Sequence, residues 1–127
     1  MAGLAQASPI LSAPFSSDYT VVDLAGPSGV PSLYGGIAFL NNNTLLLGGD
    51  ANDAGGVIDT VAVTRDVNGH ITGFGAVNQY STAPYIDGGL AIGPGGDLFF
   101  TEFPVVGLFE ISNPLSHLTN VCLSHMG

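Results

Sequence analysis

The chain contains no lysine, and Arg65 is its only arginine. A Walker-type phosphate loop and Schiff-base chemistry both require a lysine amine, and nucleic-acid binding requires a basic surface that releases counterions. The formal net charge of −9 also opposes contact with an anionic lipid surface. We therefore expect no nucleic-acid partner, and we exclude lysine-dependent phosphate binding and catalysis.

Cysteine and long apolar runs are also scarce. Cys122 is the single cysteine, so the chain contains no internal disulfide, and we expect it to be a small buried apolar side chain. A catalytic thiol would need a histidine partner, and only proximity in the chain connects Cys122 with His117 or His125. No segment approaches the roughly 20 apolar residues of a transmembrane helix, so we predict no membrane insertion.

Charged residues make up only 9% of the chain, against about 25% in an average globular protein. Hydrophobic residues make up 46% of the 127 residues, which is enough for one domain with a core. The surface must then be built from small polar residues and backbone groups. Such a composition is more typical of secreted proteins than of cytosolic ones.

The N-terminal residues permit two interpretations. Ala5-Gln6-Ala7-Ser8 fits the small-x-small site that signal peptidase cleaves, but the charged and apolar segments that precede such a site are missing. The alternative is an ordinary tail rich in alanine and serine. In both interpretations residues 1–17 form a flexible N-terminal arm.

What the chain does contain is an internal repeat. Residues 30–39 reappear as residues 83–92, at an offset of 53 positions, and residues 44–47 continue the match at 97–100. Between residues 30–39 and 83–92 four positions are identical, and these are Pro31/Pro84, Gly35/Gly88, Gly36/Gly89 and Ala38/Ala91. A period near 50 residues, with strands rather than helices in each unit, is typical of propeller blades.

Apolar, β-rich segments separated by turn residues predict the strands. The predicted strands are 19–24, 36–40, 44–48, 57–64, 70–74, 88–92, 97–102 and 107–111, with 117–123 as a candidate last strand. The turns are Asn41-Asn42-Asn43, Asp66-Val67-Asn68-Gly69 and Gly93-Pro94-Gly95-Gly96, and residues 79–87 are predicted to cross to the second unit.

No useful window shows a 3.6-residue apolar period, so the predicted fold class is all-β. We expect β-propeller-like blades of four antiparallel strands, about two blades in a partial propeller. The repeat region is 18–112, and the two blade repeats are placed at about 30–82 and 83–123, so the second overlaps the tail. Residues 113–127 form an atypical C-terminal tail. Because a closed propeller takes at least about four blades, three arrangements stay open. They are a fragment of a longer propeller, self-association through open blade faces, and two sheets packed as a sandwich; we favour the fragment.

The segment 19–111 resembles secreted bacterial proteins that carry a C-terminal PEP-CTERM sorting signal. The stretches that carry the resemblance are Tyr34-Gly35-Gly36-Ile37-Ala38-Phe39, Thr44-Leu45-Leu46-Leu47-Gly48-Gly49-Asp50-Ala51-Asn52-Asp53-Ala54, Val63-Thr64-Arg65-Asp66, His70-Ile71-Thr72-Gly73-Phe74, residues 83–91 and residues 93–101. The resemblance implies export, an extracellular or periplasmic location, and a connection with extracellular polysaccharide or envelope components. The sorting signal itself is absent here, and residues after Asn113 do not follow the pattern. A looser similarity is to gluconolactonase-type propellers.

Asp50, Asn52 and Asp53, followed by Gly55-Gly56, are the first candidate site. Oxygen ligands at alternating loop positions followed by glycine are typical of Ca²⁺ loops, although the closing acid of an EF-hand is missing because Val61 occupies its position. The alternative is a solvated loop whose acids cap turns. No cofactor is expected, and Ca²⁺ is the ion that this loop could hold.

Asp87 and Glu102 are the second candidate site. In a propeller this edge faces the central channel, where a carboxylate pair could bind a metal or transfer protons, as in the lactonase-type propellers. The alternative is loop solvation and hairpin capping. No catalytic residue is assigned, because the chain has neither a metal-binding histidine motif nor a nucleophile elbow.

These observations favour an exported, propeller-type binding or scaffold module, associated with polysaccharide or another envelope component. The alternative is a metal-dependent hydrolase of the lactonase type that uses Asp87 and Glu102.

Overall fold

The computed structural model of the chain describes residues 9–104 and, as backbone alone, the strands Leu108–Ile111 and Leu118–Val121. The signal-peptidase-like site, Cys122, His117 and His125 lie outside the described residues. So does the predicted tail 113–127, except for the backbone of the last strand.

The first sheet contains four antiparallel strands in chain order. They are β1 (Ile37–Asn41), β2 (Thr44–Gly49), β3 (Val57–Arg65) and β4 (Ile71–Thr82). Asparagine closes the first hairpin, because the Asn41 side-chain oxygen accepts a hydrogen bond from the Asn43 amide at 2.9 Å. The second turn has a left-handed residue only at Gly69, with φ +86°. Its five residues make it longer than the two-residue Asn-Gly turn that the sequence suggests.

The second sheet repeats this order. Its strands are β5 (Ile86–Ile92), β6 (Leu98–Glu102), β7 (Leu108–Ile111) and β8 (Leu118–Val121), again antiparallel. The turn between β5 and β6 is closed by a hydrogen bond from the Gly93 amide to the Asp97 carbonyl at 2.8 Å.

The described residues confirm an all-β fold, since their only helical element is the 3-10 turn Phe15–Ser17. Two predicted boundaries differ from the structure. Residues 19–24 pair in neither sheet, although their composition favours a strand. Strand β4 continues to Thr82, so the crossover to the second sheet is only three residues long, where the sequence predicts residues 79–87.

The inner hairpins of the two sheets pair in the same register. In the first sheet Ile37, Ala38 and Phe39 lie opposite Leu47, Leu46 and Leu45. In the second sheet Leu90, Ala91 and Ile92 lie opposite Phe100, Phe99 and Leu98. Each pair of the second set lies 53 positions after its counterpart. The two hairpins are therefore equivalent residue by residue.

The core is divided into two clusters by the first sheet. The inter-sheet cluster lies between the sheets and contains Leu46, Ala51, Ile58, Ala83, Ile86, Leu98 and Phe100. The outer cluster lies on the other face of the first sheet and contains Val30, Leu45, Leu47, Val61 and Val63. Since side chains alternate between the faces of a strand, β2 contributes to both clusters. This explains why β2 is apolar along its whole length.

Candidate functional site

Both candidate groups lie at one edge of the molecule, where β1 and β5 begin and β2 and β6 end. We call this edge the aromatic edge; it comprises Tyr34, Asp50, Asn52, Asp53, Tyr85, Asp87, Glu102 and Phe103. Sequence analysis assigned its acids and Asn52 to two separate sites. The structure brings both groups to the same edge through backbone hydrogen bonds between the loops.

The loop 50–56 is joined to the crossover between the sheets. The Asn52 amide donates to the Ile86 carbonyl at 2.9 Å, and the Tyr85 amide donates to the Asp53 carbonyl at 2.8 Å. A third bond runs from the Ala83 amide to the Gly56 carbonyl at 2.8 Å. Main-chain bonds at both ends of the loop therefore hold it against the second sheet, and its polar side chains are presented on a fixed support.

One of the loop acids, Asp53, stabilises the turn itself. The Asp53 Oδ1 atom accepts a hydrogen bond from the Gly55 amide at 3.0 Å. The Asp50 Oδ2 atom lies beside the same glycine, 2.7 Å from where a Cβ atom would be. Within the described part of the chain, no group of three acidic, histidine or cysteine residues is arranged to hold a metal ion. Turn capping accounts for the Asp53 carboxylate, and Ca²⁺ binding by this loop stays a prediction.

Asp87 follows Ile86, the first residue of β5, and Glu102 lies on the neighbouring strand β6. The Asp87 carbonyl accepts a hydrogen bond from the Gly36 amide at 2.9 Å, which is a direct bond between the two sheets. Glu102 is the register partner of the fully buried Ile86. Burial raises the pKa of the half-buried Glu102 carboxyl above its ordinary value. The residues described here show no hydrogen bond between the two carboxylates, so their joint action stays a prediction.

Sequence analysis did not find the aromatic side chains of this edge. Tyr34, Tyr85 and Phe103 are 48%, 42% and 58% exposed. The backbone joins two of them, because the Phe103 amide donates to the Tyr85 carbonyl at 3.0 Å. The equivalent bond in the first sheet, at the same offset of 53, runs from the Asp50 amide to the Ser32 carbonyl.

The backbone of this edge is unusual. Leu33, Asp50, Asn52 and Tyr85 all have left-handed φ angles, between 54° and 65°. This region is uncommon for residues other than glycine, asparagine and aspartate, and it is costly for a leucine or a tyrosine. Strained backbone that the surrounding structure maintains is concentrated at functional sites. Of the four, only Leu33 and Tyr85 are costly, and Ala25, with a φ of 57°, adopts the same region before the first sheet.

Asp59 is another residue that sequence analysis missed. Asp59 is only 4% exposed and lies opposite Leu47 of the outer cluster, and its Oδ2 atom has no hydrogen-bond partner among the described residues. The signal in the sequence is one acid inside the apolar run from Val57 to Val63. It is the third residue of β3, the strand that follows the loop 50–56.

A groove of about 450 Å³ lies near the opposite end of the first sheet, between residues 20–24 and the β3–β4 turn. His70 and Asp66 lie on its rim, with Nδ1 and Oδ2 3.1 Å apart. Asp66 also accepts hydrogen bonds from the backbone amides of Asn68 and His70. The pair therefore stabilises the turn, and His70 is exposed.

None of the helices among the described residues has the length and apolar character needed to cross a membrane. Comparisons with protein-family models, with curated proteins and with solved structures find no match to this chain.

Proposed function

We propose that the protein is an exported, propeller-type binding module that holds a neutral polysaccharide at its aromatic edge. The observation that supports this most strongly is the presence of three exposed aromatic rings beside acidic and amide side chains on hydrogen-bonded loops.

The chemistry of the edge suits a sugar. The apolar C–H face of a pyranose ring packs on an aromatic face, and tyrosine also offers a polar hydroxyl at its rim. Carboxylates and the Asn52 amide can accept hydrogen bonds from sugar hydroxyls. A surface that offers aromatic rings and polar acceptors together would bind both the C–H face and the hydroxyl groups of a sugar unit.

The charge of the chain favours a neutral ligand. The formal net charge is −9, and the aromatic edge itself carries four of the carboxylates, on Asp50, Asp53, Asp87 and Glu102. An anionic polysaccharide would be repelled from this edge, whereas a neutral one would be insensitive to the field.

The propeller-type architecture and the exported location belong to the same proposal. The shared register of the inner hairpins supports two like units, each of which we interpret as one blade. The resemblance to secreted PEP-CTERM proteins supports export and the connection with extracellular polysaccharide.

Affinity gel electrophoresis tests the binding proposal. The protein is run through native gels that contain a soluble neutral β-glucan, a galactomannan, dextran or the anionic polymer alginate. We expect at least one neutral polysaccharide to retard the protein and alginate to leave its mobility unchanged. Tyr85→Ala is expected to weaken the retardation about tenfold, because an aromatic anchor typically contributes 1–2 kcal/mol or more to a binding surface.

Tyr19→Ala is the matched control, because Tyr19 is also an exposed tyrosine but lies outside the aromatic edge. Its mobility is expected to equal that of the unmodified protein in every gel. The proposal is wrong if no neutral polysaccharide retards the protein, or if Tyr85→Ala and Tyr19→Ala behave alike.

A further inference from the structure

The outer face of the first sheet is partly uncovered. Leu45 and Leu47 on β2 are buried in the outer cluster, but their register partners on β1, Phe39 and Ile37, are 48% and 61% exposed. The segment before β1 covers part of this face, where Val30 joins the cluster. Among the described residues no such segment covers the β1 side of the face; the Arg65 guanidinium lies 5.7 Å from the centre of the Phe39 ring, and Ile37 and Phe39 contact solvent.

The second sheet shows what this face is built to contact. The residues that lie 53 positions after Val30, Leu45 and Leu47 are Ala83, Leu98 and Phe100. All three belong to the inter-sheet cluster, where they pack against the first sheet. Leu90, the counterpart of the exposed Ile37, also packs against that cluster. Equivalent positions therefore form the face of the second sheet that docks on the first sheet, and the outer face of the first sheet. We call this set of positions the docking face.

The complementary face is present as well. On the first sheet, the face that receives the second sheet includes Leu46, and half-buried Ala38 lies opposite Leu46. Their counterparts on the second sheet are Phe99 and Ala91, which are register partners. Ala91 is exposed and Phe99 is half-buried. The molecule thus presents a docking face on one side and, at Ala91 and Phe99, part of the matching receiving face on the other.

We propose that copies of this chain associate head to tail, with the outer face of the first sheet of one copy on the outer face of the second sheet of the next. The contact repeats the interface between the two sheets of one chain. A head-to-tail contact of this kind uses two different surfaces, so it forms a closed ring when the rotation per copy allows closure, and an open array otherwise. The proposal does not depend on polysaccharide binding.

Sedimentation velocity tests this with single charges placed on each face. Ile37→Asp alters the outer face of the first sheet, and Ala91→Asp alters that of the second. We expect the unmodified protein to form larger species as its concentration rises, and each variant alone to stay monomeric. A buried unpaired carboxylate should weaken the association at least about 100-fold. An equal mixture of the two variants should form a dimer and nothing larger, because each retains one intact face.

Three controls make the outcome clear. Val67→Asp changes a fully exposed apolar residue on the β3–β4 turn that belongs to neither core cluster, and should associate like the unmodified protein. Thermal unfolding and circular dichroism establish that each variant is folded, and Phe39→Asp replaces Ile37→Asp if the latter is not. The proposal is overturned if the unmodified protein is monomeric at every concentration. It is also overturned if Ala91→Asp alone dimerises, since that would indicate contact between two first sheets.

Discussion

Two aspartates of the first sheet, seven positions apart, show how the environment of a residue decides its chemistry. Burial raises the pKa of Asp59 above its ordinary value of 3.8. The pKa of Asp66 is lowered, mainly because its carboxylate accepts a hydrogen bond from the His70 backbone amide. Desolvation penalises the charged form of the first carboxyl, and hydrogen bonding favours the charged form of the second. Asp59 therefore destabilises the folded protein when ionised.

The sign of the pH dependence at Asp59 follows from linkage. Its folded-state pKa lies above the unfolded value of 3.8. At a pH between these two pKa values the folded protein therefore binds more protons than the unfolded protein. The free energy of unfolding therefore falls as pH rises through this window, and the loss persists at neutral pH. We expect Asp59→Asn to stabilise the protein at pH 7, because it removes the buried charge while keeping the size and polarity of the side chain, and to give no gain below pH 3.8, where the Asp59 carboxyl is uncharged in both states.

Urea unfolding monitored by circular dichroism at the two pH values measures this difference. Asp18→Asn is the control, because Asp18 is an exposed aspartate before the first sheet and its replacement should change nothing at either pH. A gain of equal size at both pH values would show that ionisation of Asp59 is not the cause.

At the scale of elements, the contact between the sheets depends on glycines at the start of β1. A Cβ atom on Gly36 would lie 2.6 Å from the Leu90 Cβ atom, and one on Gly35 would lie 2.7 Å from the Asp87 carbonyl oxygen. These distances are shorter than any normal contact between such atoms. Because the backbones of β1 and β5 approach so closely, the Gly36 amide can donate directly to the second sheet.

The repeat offers a matched pair of substitutions for this contact. Gly35 and Gly88 are equivalent positions, but a Cβ atom on Gly88 would have no described atom within 4 Å. Gly35→Ala is expected to destabilise the protein by about 1–3 kcal/mol, since it forces the two sheets apart. Gly88→Ala is expected to be neutral or stabilising by up to about 1 kcal/mol, because alanine reduces the entropy of the unfolded chain.

Thermal unfolding of both variants at low protein concentration, where self-association is weakest, makes the comparison. Equal destabilisation by the two substitutions would contradict the close packing of β1 on the second sheet.

At the scale of the whole molecule, charge opposes the proposed self-association. Every copy carries a formal net charge of −9, and the only cationic side chain of the chain, Arg65, lies 5.7 Å from the centre of the Phe39 ring on the outer face of the first sheet. Its Nε and Nη1 atoms donate to the carbonyls of Asn42 and Gly69, so it is held between two turns. One arginine cannot balance the repulsion between copies.

Salt should therefore strengthen the association. Raising the ionic strength from about 0.1 M to 1 M shortens the Debye length from about 10 Å to about 3 Å and screens the repulsion between like charges. We expect the fraction of assembled protein in sedimentation velocity runs to increase with sodium chloride, while sucrose of equal osmolality, which does not screen charge, leaves it far less changed. A decrease with salt would mean that ion pairs rather than apolar faces hold the copies together.

Much of the local structure was predictable from the sequence. Seven of the predicted strands coincide with β1 to β7 to within a few residues, except that β4 is much longer, because apolar runs and Asn/Gly turns act over short distances. The prediction of a strand at residues 19–24 was wrong, because a strand needs a neighbouring strand to pair with and composition alone does not provide one. The candidate acids were found by residue type, but the aromatic residues beside them were not. Exposure of Tyr85 depends on which loops surround it.

What the sequence by itself determined is the all-β class, the hairpins and the equivalence of their registers, because strand alternation and turn chemistry are properties of neighbouring residues. Only the tertiary structure decided which face of each sheet is covered, that Asp59 is buried without a partner, and that the loop 50–56 meets the crossover. These features depend on contacts between residues far apart in the chain. An apolar strand face has the same sequence whether another sheet or water lies against it.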